Sequence, residues 1–108
     1  MDLNLVVISG LLAAPPELRT LRSGAIIARY LLTTRTDEPR RRVDVVPVTQ
    51  WNPPSEASTY ASGSRLYAVG SIQRRFWDSS DGRRSRLEFV ASRVVDERSQ
   101  LDVPACAP

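Results

Sequence analysis

The chain has 108 residues, 42% hydrophobic and 25% charged, which fits one folded domain and excludes a second core of similar size. It contains no histidine and a single cysteine, Cys106, so no internal disulfide can form, and the usual zinc ligation and histidine general-base chemistry are excluded. All fifteen basic residues are arginine, the net charge is +3, and residues 3–93 carry fourteen arginines against eight acids, the electrostatic footprint of an anionic partner such as nucleic acid.

Leu3 to Leu12 is nearly all apolar and β-branched in its middle, with Gly10 suited to a bulge or tight bend. Pro15-Pro16 breaks any regular element. After the turn signal Arg22-Ser23-Gly24, Ala25 to Thr36 reads as a second strand. Asp37-Glu38-Pro39 turns the chain into a third, Arg41 to Gln50, in which Pro47 marks a bulge or an edge position. Trp51 to Gly63 is the least strand-like stretch, with a short helix over Ser55–Ala61 capped by Ser55. Arg65 to Trp77 and Arg83 to Val95 are the fourth and fifth strands, joined by the hairpin signal Ser79-Ser80-Asp81-Gly82. Residues 97–108 read as a flexible tail.

Five strands with one insert between the third and fourth predict an all-β OB-fold over residues 1–96, a Greek-key barrel whose face and loops commonly bind oligonucleotides. An SH3-type barrel is the alternative, with shorter strands and no insert of this length at that point. No run of about 18 apolar residues occurs, so no membrane span is expected. The start, Met1-Asp2-Leu3-Asn4, has no basic segment of a secretory signal, and with the single cysteine a cytoplasmic location is expected. No phosphate-cradling glycine motif, metal cluster or nucleophile–base pair stands out. The expectation is therefore no enzyme, no metal and no cofactor.

Several pieces resemble one family. Asn4-Leu5-Val6-Val7-Ile8-Ser9-Gly10-Leu11-Leu12 is followed by Pro16-Glu17-Leu18-Arg19, Ser23-Gly24 and Ala28-Arg29-Tyr30-Leu31-Leu32. Gly63-Ser64-Arg65-Leu66-Tyr67-Ala68-Val69-Gly70-Ser71-Ile72, Trp77 and the Asp81-Gly82 hairpin complete the series. In order and spacing they resemble the bacterial single-stranded DNA-binding proteins over residues 4–95. There are departures. Residues 31–50 contain no aromatic, with Val43 and Thr49 about where two base-stacking aromatics of the third strand would stand. The sequence ends Val103-Pro104-Ala105-Cys106-Ala107-Pro108 without the acidic C-terminal tip of that family, as in a divergent member or in a chain cut before a longer tail. In length, in lacking that tip and in its Pro47-Val48 step it is also similar to primosomal replication proteins of the PriB type.

Strand alternation groups the candidate residues. Leu66, Ala68, Gly70 and Ile72 form an inner row of the fourth strand, with Leu87 and Phe89 inward on the fifth and Phe76 assigned to the core. Gln73, Arg75, Trp77, Arg84 and Arg86 then share the outer surface, where an indole can stack a base and guanidinium groups can hold phosphates. Trp77 closing the hairpin, beside merely solvated arginines, is the bland alternative. Arg29, Leu31, Thr33 and Arg35 share a face of the second strand. Arg40, Arg41 and Arg42 are candidates for phosphate contact or for charged protection of a strand edge, and Arg19 and Arg22 are weaker candidates in the first loop. Trp51 is a base contact or packs under the insert. Asp44 is suited to pair with a neighbouring arginine.

The resemblance implies a single-stranded DNA-binding protein of replication, recombination or repair, with little sequence preference. RNA is a secondary ligand, replication or repair proteins are partners, and the assembly is a homodimer or homotetramer. The alternative is a PriB-like or oligomeric OB module that binds protein and retains weak or no affinity for single strands.

Overall fold

A computed structural model of the chain describes residues 1–98. It contains β1 Val6–Leu12, β2 Glu17–Thr20, β3 Ile26–Thr36, β4 Arg42–Trp51, β5 Arg65–Ser79 and β6 Gly82–Asp96, with a 3-10 helix at Ser55–Thr59 between β4 and β5. Most of the expected tail lies outside the described residues. β1 pairs antiparallel with both β3 and β5, β5 with β6, and β3 with β4, while β4 and β6 close the ring in parallel at Val48–Gln50 and Phe89–Ala91. This is the closed five-stranded OB barrel.

The sixth strand corrects the count of five. Pairing of β1 with β3 ends at Leu12, opposite Leu32, and Pro15-Pro16 interrupts the run because proline has no N–H to donate. The chain then resumes along β3 as β2, from Glu17 opposite Arg29 to Thr20 opposite Ile26. All four β2 residues are exposed, so no apolar alternation betrays the strand in the sequence. The helix cap is also corrected. Pro54, not Ser55, occupies the cap position, without a side-chain hydrogen bond.

Alternation fills the barrel. Leu12, Ala28, Tyr30, Leu32, Val48, Leu66, Ala68, Phe89, Ala91 and Val94 are buried together, and Ala57 and Tyr60 from the insert join them. Tyr30 and Tyr60 rings lie 6.4 Å apart, and the Tyr30 hydroxyl donates to Gln50 Oε1 at 2.7 Å inside this core. Burial, reinforced by Tyr60, pushes the Tyr30 phenol above the usual tyrosine range.

Two glycines permit closure. A Cβ on Gly10 would lie 2.6 Å from the Thr33 carbonyl oxygen, so the glycine serves close strand approach rather than a bulge. A Cβ on Gly70 would collide with the Val90 carbonyl oxygen. The bulge is beside Gly70: Val69 faces Arg93 and Gly70 faces Ala91, leaving Ser92 unpaired.

β5 and β6 outgrow the barrel. β1 follows β5 as far as Val6 opposite Gly70, and Asn4 adds one more step: its side chain donates to the Ile72 carbonyl at 2.7 Å and accepts from the Ile72 N–H at 2.9 Å. β4 leaves β6 at Phe89. From there outward, Gln73–Ser79 and Gly82–Glu88 pair only with each other among the described residues, forming a two-stranded arm. The arm overturns two core assignments. Phe76 is 53% exposed and Leu87 60% exposed, because their face has no barrel layer beneath it. Pro47 sits just where β4 loses its β6 neighbour, so it is the edge proline expected.

Candidate nucleic-acid interface

The arm assembles five of the expected residues. Across it Gln73 faces Glu88, Arg75 faces Arg86 and Trp77 faces Arg84. Directly opposed residues of an antiparallel pair share a face, so Gln73, Arg75, Trp77, Arg84 and Arg86 form one surface. Trp77 is 41% exposed, and the Arg86 guanidinium carbon lies 5.8 Å from the indole centroid, within cation–π range.

Glu88 belongs to the same face and shapes it. Its carboxylate is 3.8 Å from Arg75 and 4.0 Å from Arg86, and its side chain is 16% exposed. Oε2 is shielded from solvent yet has no hydrogen-bond partner. The two arginines, which would repel each other directly across the strands, share this one counter-charge. Arg84 has its own partner, Asp81, at 3.2 Å.

A groove opens where the arm departs from β4. It has a volume of about 250 Å³, with Arg29, Pro47 and Thr49 on one wall and Ile72, Leu87 and Glu88 on the other. Its β3–β4 wall continues as the outer row Arg29, Leu31, Thr33 and Arg35, opposite Thr49, Pro47, Val45 and Val43 respectively. Arg29 and Arg35 are six residues apart on an extended strand, about 20 Å. Because β4 runs parallel to β6, the β3–β4 turn and the arm tip project from the same end of the barrel.

The arginine run 40–42 is not one unit. Arg40 and Arg41 are on the turn, Arg41 being 3.9 Å from Asp37. Arg42 opposes Thr36, the alternate row to Arg35, and its Nε donates to Asp44 Oδ2 at 2.8 Å. Asp44 thus has the arginine partner expected for it. The structure therefore does not bring Arg42 onto the face of Arg29 and Arg35. At the other end of β3, Arg19 opposes Ile27, and Ile27 in turn opposes Trp51. Arg22 stands in the neighbouring turn, and both arginines are exposed. Arg19, Arg22, Arg29, Arg35 and Arg40 have no ion-pair partner among the described residues.

Trp51 is the residue that sequence reasoning left open. It is 50% exposed on the outer face rather than packed under the insert. The signal was available: Trp51 is two residues beyond Thr49 and shares its row.

The model of the single-strand binding protein family matches residues 3–96. "Single-stranded DNA-binding protein 2" of Listeria innocua is 33% identical over 99 residues, covering 86% of this chain and 62% of that protein. The "Single-stranded DNA-binding protein" of Enterococcus faecalis is 31% identical over 105 residues, covering 92% of this chain and 54% of that protein. The chain thus spans somewhat more than half the length of these relatives. Among solved structures, the Plasmodium falciparum SSB complex with ssDNA superposes with a TM-score of 0.73 at 20% identity, covering 89% of this chain and 96% of that one.

Proposed function

The chain belongs to the single-strand binding protein family, and from that premise we propose that it binds single-stranded DNA across the outer face of β3, β4 and the arm. The observation that carries this reading is the arm face, where Trp77 stands with Arg75, Arg84 and Arg86, the last of which also lines the Arg29 groove. Bases stack on Trp77 and Trp51, which stand at opposite ends of that surface. Arg29, Arg35, Arg75, Arg84 and Arg86 neutralise phosphates, with Arg40 and Arg41 at the β3–β4 turn and Arg19 and Arg22 at the far end. Gln73 offers a neutral donor and acceptor beside Trp77. Arg42 contributes least, because Asp44 already engages it. Stacking accepts any base, so sequence preference is slight. RNA single strands offer the same phosphates and base faces and bind by the same contacts. The cellular role is in replication, recombination or repair, as a binder rather than a catalyst, in the cytoplasm with the nucleoid.

The subunits associate through β1. Leu5 and Val7 are exposed apolar residues on its outer side, and Val7 opposes half-buried Val69 of β5. An exposed apolar sheet face of this kind is covered by pairing with a second copy, giving a homodimer or, by two such pairings, a homotetramer.

A second reading, a protein-binding OB module, is favoured by Val43 and Val45, aliphatic residues exposed at the turn end of the outer face of β4, far along the strand from Trp51. Fluorescence anisotropy with labelled oligo-dT at low salt separates the two. A DNA-binding protein shows saturable binding that salt reverses, and a protein-binding module shows none.

A further inference from the structure

We propose that the reverse face of the arm is a second nucleobase-stacking site, centred on Phe76 and Arg83, so that one DNA strand contacts both faces of the arm. This rests on the reading of the chain as a single-strand binder.

Phe76 has no structural employment. It is 53% exposed, and Ser85 directly opposite offers it no apolar partner. Instead the Arg83 guanidinium carbon lies 4.8 Å from the ring centroid, closer than Arg86 lies to Trp77. Arg74, two residues before Phe76 in the same row, donates from Nη1 to Ser85 Oγ at 3.1 Å beside the ring. Exposed Leu87 opposes Arg74 and extends the apolar floor toward Ile72. The reverse face therefore repeats the components of the Trp77 face: an exposed ring, a guanidinium over it and a second arginine at its side. A guanidinium plane on an aromatic ring presents its other face to a base and its N–H edge to a phosphate.

Charge selects the occupant. Arg74 and Arg83 share this face with one acid, Asp78, so a second copy of the chain docked face to face would set arginines against arginines. A polyanion with stackable bases satisfies both the apolar ring and the cations. Access is open as well. Among the described residues the outer edges of Gln73–Ser79 and Gly82–Glu88 have no strand neighbour, so a DNA strand can pass round the arm.

The test uses the full chain with labelled oligo-dT of about 4 and about 16 nucleotides, the span of site sizes of one OB fold. Phe76→Leu keeps an apolar side chain and removes the π-face, while Phe76→Tyr restores it. Folding is checked by circular dichroism, with assembly followed by sedimentation. The expected result for Phe76→Leu is unchanged affinity for the short oligomer and roughly five- to hundred-fold weaker binding of the long one. Phe76→Tyr should bind both as the parent does. If Phe76→Leu binds the long oligomer like the parent while Trp77→Ala is weakened, the second site is absent and the single-strand reading stands. A parent that binds neither oligomer at low salt removes the reading itself. A Phe76→Leu variant whose sedimenting mass falls while its DNA affinity holds makes the face a subunit contact and overturns the proposal.

Discussion

Phe76 and Trp77 are adjacent in the chain and leave the arm in opposite directions, yet each ring carries an arginine: Arg83 at 4.8 Å and Arg86 at 5.8 Å. In the barrel, neighbouring residues on a strand face core and solvent in turn. Beyond Phe89 there is no core, and both rows of the ribbon meet solvent. The two ring–guanidinium pairs therefore sit back to back on a thin element that few other contacts support.

The arginines should differ in how they respond to salt. Arg29 lines the groove without an ion-pair partner, whereas Arg42 is bonded to Asp44 at 2.8 Å. Each phosphate neutralised on a single strand contributes about 0.7 to the slope of log K against log salt. Arg29→Ala should reduce that slope by about 0.7. Arg42→Ala should change it by clearly less, because its charge is already matched. Salt titrations of oligo-dT binding by the two variants check this.

Glu88 restrains the binding face. Its carboxylate occupies Arg75 and Arg86, so arriving phosphates must compete with it. Glu88→Gln removes that competitor and keeps the shape. The expected outcome is several-fold tighter binding of oligo-dT at low salt with a steeper salt slope, measured by anisotropy. Weaker binding would mean that the carboxylate chiefly positions the arginines.

How much of this was legible in the sequence depends on what each feature needs. The register of the arm could be read, because Asp81-Gly82 fixes the turn and alternation then assigns Gln73, Arg75, Trp77, Arg84 and Arg86 to one face. The exposure of Phe76 and Leu87 could not. Alternation says which side chains share a face and is silent on whether another layer covers it. β2 was hidden because Glu17, Leu18, Arg19 and Thr20 are all exposed and pair by backbone alone. The bulge at Ser92 did leave a mark, Gly70 inside the fourth strand, where a side chain would meet the Val90 carbonyl.

The core should fail at alkaline pH. The Tyr30 phenol is held above its ordinary pKa of about 10 by burial first and by Tyr60 second. A raised value means that the unfolded chain ionises first. This contribution to stability is fully present below about pH 10 and is lost as pH rises toward the folded-state value. Tyr30→Phe should remove part of this alkaline dependence. It should also cost about 1–3 kcal/mol at neutral pH, because Gln50 Oε1 loses its donor inside the barrel. Urea unfolding at pH 7 and at alkaline pH measures both effects.

Assembly should depend on the outer row of β1. Val7→Glu places a charge on the exposed apolar strand without touching the barrel interior. Sedimentation is expected to show a smaller species than the parent at the same concentration, with an unchanged circular dichroism spectrum. An unchanged mass would move the subunit contact away from β1.

The most direct test of the central claim is the affinity of parent and Trp77→Ala for oligo-dT across a salt series. With four or five of these arginines engaging phosphates at once in each subunit, the parent should bind at low salt and lose affinity with a log–log slope near about −3 per subunit. Trp77→Ala should bind more weakly by about 1–3 kcal/mol at every salt concentration, with the slope unchanged. If Trp77→Ala binds as tightly as the parent, the arm face is not where the bases stack.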